Sequence, residues 1–353
     1  MTALAGLMAR RIAADGPITV ADYMAECLLH PEHGYYTTRD PLGAAGDFTT
    51  APEISQIFGE LLGLALAQAW LDQGRPAPLA LAELGPGRGT LMADMLRATR
   101  GVPGFHAALR VQLVEASPAL RARQAVALSG HDPSWHDSVG ALAQMPLFLV
   151  ANEFFDALPV RQFVRAGDGW RERVIGLQGG ALAFGLAAPA PFAALEGRLA
   201  DTADGDLVER RAAADPVMAE IGARIGAHGG AALIVDYGGW GSLGDTLQAV
   251  RGHEQVDPLA NPGAADLTAH VDFRALARAA GVPVAGPVDQ GVLLERLGAT
   301  ARAQALARGL EGDALESHVA AHRRLTHPAE MGTLFKAIAL HPPDTPLPPG
   351  FAP

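Results

Sequence analysis

PLALAELGPGRGTLMADMLR, residues 78–97, opens with an apolar run, passes an acid into alternating glycines, and leaves at helical spacing. A short apolar run, glycines and then a 3.6-residue period predict a buried strand, a tight turn and a helix. Glycine permits such a turn and lets the backbone come close to a ligand. Two phosphate-binding readings fail. A dinucleotide fingerprint needs glycine or alanine where Thr90 stands, and a Walker-type loop needs a lysine after its glycines, whereas the single lysine is Lys336.

Working outward, LRVQLVE (109–115), LFLVANE (147–153) and AALIVDYG (231–238) repeat the pattern, each apolar with an acid at or near its end. SWHDS (134–138) lies where a further strand should end, and 331–340 reads as a last strand. Helical stretches at 90–100 and 118–128 separate some of the runs. Buried strands alternating with helices indicate a doubly wound α/β sheet, with ligands at the carboxyl ends of its strands. Residues 160–186 carry turn signals GDG and QGG between alternating runs, so a three-stranded antiparallel insert is expected. A loop at 187–206, a helix at 207–227, and helices at 271–281 and 291–310 follow. Upstream, Thr19 caps a short helix within 17–30, and 30–50 is an ordered loop. Thr50-Ala51-Pro52-Glu53 has the form of a capping box opening one helix over 51–70. The expected organisation is an N-terminal helical extension and lid (1–75), an α/β domain (76–340) with an insert at about 160–206 and additional helices at about 245–325, and an extended proline-rich tail (341–353).

A net charge of −11 and a pI near 5.5 argue against an electrostatic grip on nucleic acid. One cysteine, Cys27, excludes an intrachain disulfide and a multi-cysteine metal site and suggests a reducing compartment. No apolar run reaches the ~18 residues of a membrane span. MTALAGLMARRIAADG has two arginines but no apolar stretch behind them, so it reads as a first helix and not as a signal. His253, His270 and Asp272 match no standard zinc spacing, and no metal is expected. No G-x-S-x-G elbow is present.

The acid-x-G-x-G-x-G pattern of Glu83, Gly85, Gly87 and Gly89 looks like the first motif of class I methyltransferases. Their ligand, S-adenosylmethionine, has no pyrophosphate, so an acid can sit beside its amino group without repulsion. The plain alternative is an ordinary strand-to-helix turn. Glu115 ends the next strand, where a carboxylate can accept both ribose hydroxyls. It lies 32 residues after Glu83, and GVPGF (101–105) accounts for the extra length. Its alternative is a surface glutamate. Asp137 is a candidate for the adenine amine, or a solvated turn residue. Asn152-Glu153-Phe154-Phe155-Asp156 places two acids and two aromatics at one strand mouth. Aromatic faces hold cations and carboxylates pair with a guanidinium, which suits orienting a basic nitrogen for attack on a sulfonium methyl. Such transfer is an in-line displacement in which positioning is most of the work. One of the two phenylalanines is expected to plug the core instead.

With these motifs in place, the chain resembles the MidA-type proteins, bacterial relatives of the mitochondrial protein-arginine methyltransferase that assists assembly of respiratory complex I. The stretches that carry the resemblance are HPEHGYYTTRDPLGAAGDFTTAPEISQIFGE, LAELGPGRGTLMADMLR, LVEASPALRARQ, LVANEFFDALPVRQF, IVDYG, GDTLQAVRGH, ADLTAHVDF and EMGTLFKAI, spread from residue 30 to near 338. The resemblance implies a class I methyltransferase fold with a mostly parallel seven-stranded sheet. It implies S-adenosyl-L-methionine as donor and S-adenosyl-L-homocysteine as product. It also implies symmetric dimethylation of an arginine on the 49 kDa-type subunit of complex I, hence a protein partner with an exposed arginine. A homodimer is compatible with it. Neither a nucleic-acid partner nor an integral membrane segment is expected, and the missing mitochondrial leader points to a bacterial cytoplasm.

Carried onto this chain, Glu83, Gly85, Pro86, Gly87, Gly89, Thr90, Glu115, Ala116, Asp137 and Asn152 hold the cofactor. Glu153, Asp156 and Asp47 orient the acceptor. Phe48, Thr50, Gln56, Phe154, Asp236 and Tyr237 cover the pocket or touch substrate. The alternative for 46–60 is a packed cap without chemistry. Two other function classes stay open: a non-catalytic assembly chaperone that binds the cofactor without turnover, and a small-molecule methyltransferase with a deep apolar pocket. A nicotinamide dehydrogenase is disfavoured by Thr90.

Overall fold

The run before the glycines forms strand β1 (Leu79–Leu84), every residue of it buried in a computed structural model that describes residues 2–38 and 49–352. Numbered along the chain, the other strands on the main path of this eight-stranded sheet are β2 (Leu109–Val114), β3 (Ser134–His136), β4 (Leu147–Asn152), β5 (Gly230–Gly239), β6 (Val284–Asp289) and β7 (Phe335–Leu340), the eighth being the two-residue strand Val271–Asp272. They lie side by side in the order β3-β2-β1-β4-β5-β7-β6. β1 to β5 pair in parallel, and β7 runs antiparallel between β5 and β6. Central strands covered on both faces must be apolar throughout, which is why β1, β4 and most of β5 read as unbroken hydrophobic runs. The strand order reverses between β1 and β4. At such a point two neighbouring connections leave in opposite directions and open a crevice at the carboxyl ends. The glycine turn and Asn152 both stand at that crevice.

Around the sheet pack α1 (Ala51–Ile54), α2 (Gln56–Asp72), α3 (Thr90–Ala98), α4 (Pro118–Ala127) and α5 (Ala214–His228). α2 and α3 approach closely where glycines of α2 face α3. A Cβ built on Gly63 would stand 2.7 Å from Met95 Cα, and one on Gly59 would stand 2.7 Å from Asp94 Cβ. Glu60, between those glycines, accepts from Arg97 at 2.5 Å and from Arg302 at 2.7 Å. Burial pushes its carboxyl up, but the two guanidiniums outweigh burial and hold it below the ordinary range.

The chain divides into two compact units. Thr49–Phe155, Asp215–Trp240 and Phe273–Pro353 make the unit with the parallel sheet. Met1–Phe48, Asp156–Ala214 and Gly241–Asp272 make the other. In this second unit the antiparallel insert is present as Arg161–Ala166, Gly169–Gln178 and Ala181–Leu186, extended by Ile18–Thr19 and Leu207–Arg210. Helices Ala3–Asp15 and Val20–Leu29 supply Leu4, Met8, Ile12, Tyr23 and Met24 to its core. Thr19 forms the expected cap, as a full capping box with Asp22.

Several elements differ from expectation. The helix over 51–70 is two helices, because Ser55 is extended (φ −157°) and starts α2 by accepting from the Ile57 N–H. Thr50 makes no side-chain cap bond, since the Glu53 N–H donates to the Thr50 carbonyl at 2.9 Å, and the Glu53 carboxylate turns towards Thr90. Residues 207–210 are a strand, because Val208 and Glu209 pair with Phe163 and Gln162 in the insert sheet. Additional helices were expected from about 245, but Gln248–Arg251, Glu254–Val256 and Asp266–Thr268 form a three-stranded sheet. The helix at 291–310 is interrupted at Gly298 (φ +96°), and a further helix, Gly312–Thr326, follows.

Candidate cofactor site

Gly85, Gly87 and Gly89 all occupy the left-handed region, with φ of +60°, +53° and +85°. At Gly85 the requirement is double, because an added Cβ would also stand 3.0 Å from Phe154 Cδ2. The turn is closed by Gly89 N–H donating to Pro86 O at 2.7 Å and is anchored by Gly85 N–H donating to Val114 O at 3.0 Å. Gly89 is the N-cap of α3.

Glu83 ends the strand side of this turn with its side chain buried, and its Oε2 has no hydrogen-bond partner in the chain. Burial, with a smaller push from Glu115, raises its carboxyl to about 8, against a Met92 N–H that favours the charged form. Glu115 stands directly after β2 and is also buried. It accepts from Ser117 N–H at 2.8 Å and from Gln124 Nε2 at 3.2 Å, and burial raises its carboxyl despite these donors. Ala116 is exposed beside it. Asp137, just past β3, is exposed and paired with Arg121 at 2.5 Å.

At the mouth of β4, Asn152 donates from Nδ2 to Glu153 Oε1 at 3.0 Å, while its own Oδ1 is buried without a partner. Glu153 is held in the left-handed region (φ +50°), uncommon for a side chain with a Cβ. Its N–H donates to Val235 O at 3.0 Å, and its Oε1 accepts from Ala51 N–H at 3.1 Å. Phe155 is the phenylalanine that plugs the core, fully buried. Phe154 meets it edge-on at 5.2 Å and lies over Gly85.

A family model for S-adenosyl-L-methionine-dependent methyltransferases matches residues 61–288. The zebrafish mitochondrial protein arginine methyltransferase NDUFAF7 is 38% identical, covering 94% of this chain and 85% of that protein. The mouse protein of the same name is 39% identical, covering 94% and 83%. The crystal structure of a Burkholderia thailandensis protein bound to S-adenosyl-homocysteine superimposes with a TM-score of 0.80 at 30% identity, covering 99% of this chain and 93% of that one.

This chain belongs to the S-adenosyl-L-methionine-dependent methyltransferase family.

Its fold is the class I methyltransferase fold, and its cofactor is S-adenosyl-L-methionine. The residues at the crevice fit that group. Two buried oxygens, Glu83 Oε2 and Asn152 Oδ1, lack a partner, and a ligand carrying ammonium and hydroxyl donors supplies what they lack. The glycine turn is also braced by a residue that sequence reading passed over. Gln124, fully buried in α4, donates to Gly87 O at 2.8 Å and accepts from Trp135 Nε1 at 2.8 Å. A lone glutamine in a helix gives no local signal of this.

Other expected site residues are placed as follows. Asp236 is fully buried and accepts from Phe155 N–H at 3.1 Å and Tyr237 N–H at 2.9 Å, so it props the loop after β4. Tyr237 is buried edge-on against Phe335 at 5.4 Å. Thr50 is half-buried before α1, and Gln56 is exposed at the start of α2. Asp156 belongs to the other unit, where it is buried and its Oδ1 accepts from Ala157 N–H at 2.8 Å. Asp47 and Phe48 lie outside the described residues. Among the described residues no group of three or more His, Cys, Asp or Glu side chains is arranged to hold a metal ion. No helix among them is long and apolar enough to cross a membrane.

Proposed function

We propose that this methyltransferase acts on an arginine of a protein, forming symmetric dimethylarginine on a subunit of respiratory complex I. What carries the reading is similarity, over 94% of the chain, to proteins named protein arginine methyltransferase.

In this proposal Glu83 accepts from the cofactor's ammonium, and Glu115 accepts from the ribose hydroxyls. Gly85, Pro86, Gly87, Gly89 and Thr90 form the wall between them, with Ala116 and Asp137 on the adenosine side. Asn152 Oδ1 takes a further donor. When bound, the cofactor supplies an electrophilic methyl group on a sulfonium. The chain's own task is then to hold a guanidinium nitrogen in line with that methyl and to exclude water. In this proposal Glu153, at the mouth of β4, is the carboxylate that pairs with the arginine, with the ring of Phe154 next to it in the chain. As the nitrogen's lone pair forms the new N–C bond, the S–CH3 bond of a bound cofactor would break with its electron pair left on sulfur, and the methylated nitrogen would give up one proton to solvent.

The test is peptide mass spectrometry of the complex I subunits from cells with the gene, cells without it, and cells carrying Gly87→Val. An arginine dimethylation lost in both altered strains is the expected result. A methylation pattern unchanged across the three strains would overturn the assignment of the substrate.

A further inference from the structure

Glu53 has the sequence position of a capping-box glutamate, but it does not cap. Its Oε1 accepts from Thr90 Oγ1 at 2.5 Å, and its Oε2 stands 3.8 Å from Arg88 Nη1. Arg88 and Thr90 flank Gly89, the left-handed residue that turns the cofactor loop into α3. The Thr90 hydroxyl, expected at the cofactor, is therefore spent on Glu53.

The helix that carries Glu53 is held from its other end as well. Ala51 is fully buried, and its N–H donates to Glu153 Oε1 at 3.1 Å. That oxygen also takes the Asn152 amide at 3.0 Å, which leaves Asn152 Oδ1 turned away, buried and unpartnered. Four residues are too few to hold a helix by its own hydrogen bonds. α1 persists because one carboxylate, Glu153, ties it to the loop after β4, and another, Glu53, ties it to the turn after β1. Those two loops are the walls of the crevice at which the strand order reverses. Glu53 is 18% exposed at its side chain, sheltered enough for the Thr90 bond to be stronger than a surface contact.

We infer that Glu53 is a positioning residue for the cofactor. It acts through Thr90 and Arg88 to hold the glycine turn in the conformation that accepts S-adenosyl-L-methionine, and so makes cofactor affinity depend on the helix upstream of the motif. The inference rests on the cofactor and not on arginine being the acceptor.

Calorimetric titration of the full chain with S-adenosyl-homocysteine, together with thermal unfolding of the ligand-free proteins, tests it. Glu53→Ala is expected to weaken binding about tenfold, the loss of one charge-assisted bond that preorganises the site. Its ligand-free unfolding temperature should stay close to that of the wild type. Glu53→Gln, which keeps an oxygen to accept from Thr90, should recover most of the affinity. Thr90→Val should reproduce the Ala defect and Thr90→Ser should not. The double variant Glu53→Ala/Thr90→Val should be no weaker than either single change, because both break the same link. Unchanged affinity in Glu53→Ala, or additive losses in the double variant, would overturn the inference. If Glu53→Ala unfolds, the Thr90→Val and Thr90→Ser pair decides, since equal affinity in both removes the link from cofactor binding.

Discussion

The side-chain amide of Gln124 donates to the carbonyl of Gly87 at 2.8 Å, and the same nitrogen reaches Glu115 Oε2 at 3.2 Å. One residue of α4 thus joins the turn after β1 to the acid after β2, the two ends of the proposed cofactor seat. Its oxygen is fixed in turn by the Trp135 indole at 2.8 Å, so the amide has one orientation.

Replacing Gln124 by Leu keeps the volume and removes all three bonds. The Trp135 N–H is left without its acceptor, at a cost of ~1–3 kcal/mol in unfolding free energy. Affinity for S-adenosyl-homocysteine should fall by about tenfold, because Gly87 and Glu115 lose their common brace. Denaturant unfolding and calorimetry read the two effects separately. A variant with wild-type affinity would show that the brace does not shape the site.

Glu83 predicts a pH dependence with a definite sign. Its carboxyl is raised by burial from 4.5 to about 8 in the folded protein. Between those values the unfolded chain loses a proton that the folded chain keeps, so this contribution to stability is whole below pH 4.5 and lost as pH rises through 8. Glu83→Gln, neutral throughout, should leave the ligand-free protein as stable as wild type at low pH and make it more stable above pH 8. A cationic ligand amine reverses the balance and favours the ionised acid. Binding at neutral pH should then release up to about one proton in the wild type and none from this site in Glu83→Gln. Titration in two buffers of different ionisation enthalpy measures that, and equal release in both proteins would remove Glu83 from the amine.

Gly63 predicts a packing defect. A methyl group there meets the backbone of Met95 at 2.7 Å, where nothing flexible can yield, so α2 must move off α3. Gly63→Ala should destabilise the parallel-sheet unit by about 1–3 kcal/mol, the usual range for overpacking. Gly74→Ala, with nothing within 4 Å of the added carbon but φ of +82°, is the control for backbone strain alone. Thermal melts that rank the two equally would contradict the close approach.

Asp236 predicts a separation of binding from turnover. It receives two backbone N–H groups from the strand mouths, Phe155 and Tyr237, while fully buried. Asp236→Ala orphans both and loosens the loop that positions Glu153 and Phe154. Turnover should drop by at least tenfold, while affinity for S-adenosyl-homocysteine, held mainly at β1 and β2, should change by less than about threefold. A parallel fall in both would place Asp236 with the cofactor instead.

The strands and the motif were legible because their cause is local. β1, β4 and β5 are buried on both faces, so each is an apolar run, and an acid stands at or beside its exit to the crevice. The left-handed φ of Gly85 needs glycine, and that is written in the chain. Ser55 shows the limit of the same reading. The apolar stripe through Ile54, Ile57 and Phe58 has helical spacing, yet the chain breaks there so that Glu53 can face Thr90. The three-stranded sheet at 248–268 was missed for a related reason. Its strands are short, and a period cannot be read from three or four residues.

The order of buried runs, the glycine turn and its acids therefore followed from the sequence by itself, and with them the parallel sheet and a cofactor without pyrophosphate. Tertiary structure alone decided which side chains brace that turn. Glu53 and Gln124 reach it from about ten turns of helix away in sequence, at separations where only the packed fold sets a distance. Periodicity records which face of an element is buried. It does not record which buried polar group the neighbouring element brings to meet it, and here those meetings brace the glycine turn.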